Sequence, residues 1–350
     1  MLKHKVLAET KHGTSAPRAG LLSRRGLLRS AGVAGIAGAV AVGGRNVLAA
    51  APLRELTLAW GAGGVCLAAV PVAIERGIFA KHGLKVNLAN FAGSTDQLLE
   101  LLATGKADAG LGLIHRWIKP LESGFDVKIV GSSHGGCVRL LGSKQAGVTS
   151  LQSLKGKTIA VSDLNSPGKN FFTIMLAKAG IDPVKEVNWR AFPGDMLGLA
   201  VEKGEAQAIA DHDPNLYLVE QRTKGLVEIA TNMTGEYADK VCCVIGASGK
   251  LVRSEKPVLA SLVRAITEAS DFVAENPKET AKIFDAYAVK VSPDQVAAML
   301  ATMDHRVHPH GPSLQKQVEF YARDFKFVGV LKPSTDPVRF AQHVAFDVLS

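Results

Sequence analysis

Small and polar residues gather at a few places along this chain where main-chain N–H groups can be approached closely. They are Gly61 to Gly64 behind Trp60, Ser94 and Thr95, Gly112, Gly135-Gly136-Cys137, Ser162 to Ser166 with Asn165 among them, and Asp211 to Pro214. Glycine lets a ligand reach the backbone, and a Ser or Thr ahead of a helix stands beside unpaired N–H donors suited to a carboxylate or oxyanion. The chemistry this supports is capture of a small anion. A plainer role for Ser94, Thr95 and Ser166 is to cap their helices, and both readings stay open. Trp60 is either a flat apolar wall or sheet core. His115 or Arg116 can face an anion. Asp211 and Asp213 either pair with a cationic group or set the turn into the segment after Pro214.

Signatures of catalysis are missing from the sequence: there is no Gly-x-Ser-x-Gly elbow, His-Glu-x-x-His, phosphate loop or dinucleotide fingerprint. His134 and Cys137 are three residues apart, with nothing to mark them as a nucleophile and base. The other cysteines are Cys66, Cys242 and Cys243. An adjacent pair on a strand points to opposite faces and lacks the spacing of paired zinc ligands, so neither metal nor cofactor is expected. The four thiols are either packed and free or joined in a disulfide whose pairing the sequence does not choose. His305, His308 and His310 stand in a Pro- and Gly-containing connection that reads as a surface loop.

The elements that must position these residues repeat a strand–helix rhythm. Strands are predicted over 56–60, 84–88, 107–112 and 126–131, with helices around 67–79 and from Ser94 to Gly105. The rhythm restarts with a strand at 158–162, a helix from Ser166-Pro167 through Phe171, Phe172 and Leu176 to Gly180, and strands at 187–189 and 206–210. A return strand at 241–245 precedes a long helix to about 276, helices at 279–287 and 293–303, and a final helix holding Phe320, Tyr321, Phe325 and Phe327. Short, nearly continuous apolar strands between helices predict parallel sheets covered on both faces. The expected architecture is α/β, with one lobe from 52–140 plus 241–350 and the other from 141–240. The connections near 138–142 and 238–242 would form the hinge, and ligands bind beyond the carboxyl ends of such strands.

Ser23-Arg24-Arg25-Gly26-Leu27-Leu28-Arg29, the uncharged thirteen residues 31–43 and Ala49-Ala50-Ala51 resemble a twin-arginine signal peptide over 1–51. The apolar run is too short to span a membrane, so export to the periplasm is expected. Residues 1–51 carry eight Lys or Arg and one acid, which is +7 of the net +9 and leaves +2 for the rest. The basic balance therefore belongs to the leader and gives no support to nucleic-acid binding.

Four stretches carry a family resemblance: Pro71-Val-Ala-Ile-Glu-Arg-Gly-Ile-Phe-Ala-Lys-His-Gly-Leu-Lys-Val86, residues 93–110 from Gly93-Ser-Thr-Asp, Leu151-Gln-Ser-Leu-Lys-Gly-Lys-Thr-Ile-Ala-Val161 and residues 201–210. In this order they resemble the substrate-binding proteins of ABC importers, in the branch that handles nitrate, bicarbonate, taurine and aliphatic sulfonates. The resemblance implies a type II periplasmic-binding-protein fold, two doubly wound lobes joined by a two-strand hinge. It implies a monomeric, non-enzymatic component that takes up a small anionic, carboxylated or sulfonated solute and passes it to an inner-membrane permease. Carried over, the contacts fall at Trp60 to Gly64, Ser94 and Thr95, Gly112, Asn165 and Ser166, and Asp211 and Asp213. His115, Gly136 and Cys137 are added from the residues themselves. One departure is His212-Asp213, where many members have an aromatic and a Glu before the proline. Competing classes are a thiamine-pyrimidine-synthase-like enzyme of related fold, whose cysteine-rich motif Cys242-Cys243 does not match, and an exported sensor.

Overall fold

A computed structural model describes residues 52–91, 95–287 and 291–350. The expected leader and Ser94 lie outside the described residues. The strands are β1 (Arg54–Trp60), β2 (Leu84–Asn90), β3 (Ala109–Leu113), β4 (Val127–His134), β5 (Val138–Ser143), β6 (Thr158–Val161), β7 (Asn188–Ala191), β8 (Ala208–His212), β9 (Leu226–Thr231) and β10 (Cys243–Ser248). They form two five-stranded sheets ordered β2-β1-β3-β10-β4 and β7-β6-β8-β5-β9.

Neither sheet is purely parallel, contrary to the sequence expectation. β1 runs parallel to β2 and β3, but β10 is antiparallel to both β3 and β4. In the second sheet β6 is parallel to β7 and β8, whereas β5 is antiparallel to β8 and β9. The reason is the chain path. β4 leads through Gly135–Cys137 straight into β5, and β9 returns through residues 232–242 to β10. A strand that enters its sheet from the side where the others end must run against them. The first crossing is short and extended; the second holds a 3-10 turn, Gly235–Tyr237.

Local chemistry explains the covering helices. Ser166 caps Pro167–Lys178: its hydroxyl accepts the Lys169 N–H at 3.1 Å, and Pro167 fits the first turn. The expected helix over 67–79 breaks into a 3-10 turn (Val65–Leu67) and helices Ala69–Glu75 and Ile78–Lys81, because Gly77 sits at φ +66° between the last two. The twenty-residue helix Lys256–Glu275 buries Leu259, Leu262, Val263 and Ile266 on the first sheet. The tail forms two helices, Gly311–Phe327 and Pro337–Val344, and Phe327 is 63% exposed instead of packed. Tyr321 and Phe325 of that tail are buried, with Tyr321 donating to the Val241 carbonyl at 2.8 Å. No helix among the described residues is long and apolar enough to cross a membrane.

Candidate functional site

Where the strands of both sheets end, a cavity of about 840 Å³ lies between the lobes. The loop after β1 brings Gly61, Gly64 and Cys66 to it, and the end of β2 brings Asn90 and Phe91. Gly112 and Arg116 follow from β3; Asp163 and Asn165 come from the loop after β6, and His212 from the end of β8. A second cavity of about 700 Å³ lies against the helix Lys256–Glu275 and away from the strand ends. Its charged groups are already paired, as Arg76–Glu279, Lys81–Glu268 and His308–Asp271.

Arg116 is the fixed charge of the cleft. It closes the 3-10 turn Ile114–Arg116, its side chain is 5% exposed, and it pairs with Asp163, which is 44% exposed and belongs to the other lobe. Its Nε has no hydrogen-bond partner. Beside it, Asp211 lies 2.7 Å from Nδ1 of His212. Burial opposes a charge on His212, yet that carboxylate pushes the imidazole up to about 9. His212 is thus a cation at neutral pH, with 23% of its side chain reaching the cavity.

The expected site residues divide into two groups. Gly61, Gly64, Gly112 and Asn165 line the cavity. Ser94 is outside the described residues, and of Thr95 only its place at the start of the helix Thr95–Ala103 is described. Trp60 is sheet core: it is 2% exposed, its Nε1 donates to the Leu67 carbonyl at 3.3 Å, and Phe284 and Tyr287 meet it edge-on. The aromatic at the cavity is Phe91. His115 turns away from the cleft, wedged between Phe171 and Tyr321 with ring centroids 5.2 and 5.1 Å away, and burial pulls its imidazole below the ordinary value. Ser166 is fully buried and serves its helix as cap. Asp211 supports His212 from behind. Asp213 accepts the Tyr217 N–H at 3.0 Å and faces Arg139 at 3.7 Å, within its own lobe; burial raises its carboxyl despite that arginine.

Gly136 and Cys137 belong to the crossing between the lobes. A Cβ on Gly136 would stand 2.5 Å from the Asn232 carbonyl, so glycine is needed there for two main chains to touch. The Asn232 side-chain oxygen accepts the N–H groups of Cys137 and Val138 at 2.8 and 2.9 Å, and Cys242 N–H donates to the His134 carbonyl at 3.0 Å. All four cysteines are free and buried. His305, expected in a surface loop, is 1% exposed and stacks at a tilt on His134. Its neutral ring is pulled down to about 3 by burial and by His134. Sequence reasoning missed Asn90, Phe91 and Asp163 as cavity residues; β2 running on to residue 90 was the signal that would have supplied the first two.

A model of the family described as "NMT1/THI5 like" matches residues 67–280. A relative from Brucella abortus, described only as a binding protein, is 28% identical over 216 residues, 61% of this chain. The chain spans 65% of the length of the curated relatives it matches. Among solved structures, the alkanesulfonate-binding protein of Xanthomonas axonopodis pv. citri, bound to MOPS, superposes with TM-score 0.69 at 17% identity, covering 85% of this chain and 100% of its own. The aliphatic sulphonate-binding protein of Escherichia coli gives 0.70 at 15%, covering 83% and 97%. The nitrate-binding protein of Synechocystis PCC 6803 gives 0.67 at 14%, covering 83% and 86%. With a family model spanning more than half of it, and two α/β lobes that share their architecture with these structures, the chain belongs to the NMT1/THI5-like family and has the type II periplasmic-binding-protein fold.

Proposed function

We propose that this protein is the solute-binding component of an ABC importer, exported behind a twin-arginine signal to the periplasm, and that it binds without catalysing. Its cleft takes a small anionic solute, carboxylated or sulfonated, and hands it to a permease in the inner membrane. The lobes, 52–140 with 241–350 and 141–240, close by bending at residues 135–137 and 232–242. Likeness to sulfonate- and nitrate-binding proteins supports the class of solute.

The observation that carries the reading is the Arg116–Asp163 pair across the cleft. Guanidinium binds carboxylate and sulfonate through parallel N–H donors, and an exposed ion pair contributes only about 0–1 kcal/mol, so an incoming anion can replace Asp163 at low cost. His212 adds a second positive group on the other lobe, and Phe91 gives an apolar face for a short carbon chain. A thermal-shift panel of sulfonates, carboxylates and inorganic oxyanions tests this. At least one anion is expected to raise the unfolding temperature. Stabilisation by neutral or cationic solutes alone would reject the anion reading.

A further inference from the structure

The crossing between the lobes holds a group of side chains that the cleft does not use. Donor atoms of Cys66, His134 and Cys243, all three residues buried, lie within 4.8 Å of one another. They come from separate segments. Cys66 sits in the 3-10 turn after β1, His134 ends β4, and Cys243 opens β10. His134 and Cys243 are directly opposite partners in the antiparallel β4–β10 pairing, which sends both side chains to the same face of the sheet. Cys66 meets them there.

His134 supplies the independent evidence. Its Nδ1 is 2.6 Å from the Gly135 carbonyl and therefore carries the proton, which leaves Nε2 with its lone pair. That nitrogen is fully buried and has no hydrogen-bond partner. A buried polar atom without a partner is ordinarily costly, and an imidazole whose other N–H is fixed by a backbone carbonyl has the orientation and tautomer of a metal ligand. Cys137 and Cys242 form a separate contact, Sγ to Sγ at 3.2 Å, and need not take part.

We propose that Cys66, His134 and Cys243 form a binding site for a thiophilic divalent ion of the zinc class. Two thiolates and one neutral imidazole match the sulfur and nitrogen preference of such an ion, and its double charge cancels the two thiolates in a place where net charge is expensive. Binding releases one proton from each of the two thiols to solvent and changes no oxidation state. Three protein ligands leave the tetrahedral ion one further position. The ion ties together the strand that leaves the first lobe, the strand that returns to it and the loop that carries Gly61 and Gly64 to the cavity. The site stands whether or not the cleft binds an anion.

The test uses the full chain with its thiols reduced and titrated as free, and Co(II) and Zn(II) as the added ions. One equivalent of Co(II) is expected to bind with thiolate-to-metal charge-transfer absorption of a strength set by two sulfurs, and Zn(II) is expected to displace it. Cys66→Ser and Cys243→Ser are each expected to weaken binding about a hundred-fold or more, beyond what loss of an outer-shell partner does. Cys242→Ser keeps it. If the serine variants do not fold, the wild-type spectrum and the Zn(II)-dependent rise in its unfolding temperature decide. The proposal is overturned if reduced wild type takes up neither ion. A spectrum set by four sulfurs, uptake of Cu(I) alone, or unchanged binding in folded Cys66→Ser and Cys243→Ser would also overturn it.

Discussion

The cleft and the seam beside it treat buried polar groups in different ways. At the cleft, one partner of the Arg116–Asp163 pair is 5% exposed and the other 44%. The cation is fixed and its counterion can leave. At the seam, Asn232 is 1% exposed and its side-chain oxygen serves two backbone N–H groups, while Gly136 lets the two crossings touch. Exchangeable charge suits a site that must bind and release. Fully committed hydrogen bonds suit the place where two lobes are joined, because an unmade bond there has no water to replace it. Cys66 belongs to both regions, lining the cavity and meeting His134.

This contrast can be broken most forcefully with the aromatics. Trp60→Ala is expected to cost about 3–5 kcal/mol of stability, the range for a buried large aromatic, whereas Phe91→Ala leaves unfolding nearly unchanged and weakens solute binding. Denaturant unfolding of both variants checks this; equal losses would erase the distinction between core and cleft. Gly136→Ala is expected to cost about 1–3 kcal/mol, because its new methyl meets main chain that cannot yield. An unfolding midpoint equal to wild type would show that the crossings are not in contact.

Charge at the cleft gives smaller effects. The His212 pKa is raised to about 9 from a model value of 6.5, so the stability it contributes is complete below pH 6.5 and is lost as pH rises through 9. The difference in stability between wild type and His212→Gln is expected to shrink across that window; a difference that grows with pH would contradict the Asp211–His212 ion pair. Asp163→Asn removes the competitor for Arg116 and is expected to tighten anion binding by up to about five-fold, in line with an exposed pair worth at most about 1 kcal/mol. Weaker binding in the titration would make Asp163 a solute contact instead.

What the sequence disclosed follows from what each signal depends on. The cap at Ser166, the glycine stops and the apolar strands are local, and β1, β3, β6 and β8 stand within two residues of where their patterns place them. β5 and β9 escaped notice. Val138-Arg139-Leu140 and Leu226-Val227-Glu228 place Arg139 and Glu228 within short strands, where the two side chains pair with each other at 2.6 Å. The antiparallel direction of β5 and β10 depends on the path between lobes, which no local pattern encodes. At the site, main-chain positions such as Gly61 and Gly112 were legible because strand ends define them. Side-chain direction was not: His115 and Arg116 are neighbours on one tight turn, yet one enters an aromatic cluster and the other the cleft. The cysteines defeated a spacing rule for the same reason, since Cys66 and Cys243 meet only through the fold.

Calorimetric titration of wild type and Arg116→Gln with the anion that most stabilises the wild type tests the central claim directly. A charge-assisted hydrogen bond is worth about 1.5–3 kcal/mol, so the variant is expected to bind about ten- to a hundred-fold more weakly while unfolding as a single cooperative unit. Equal affinity in a folded variant would contradict the assignment of Arg116 as the group that holds the solute.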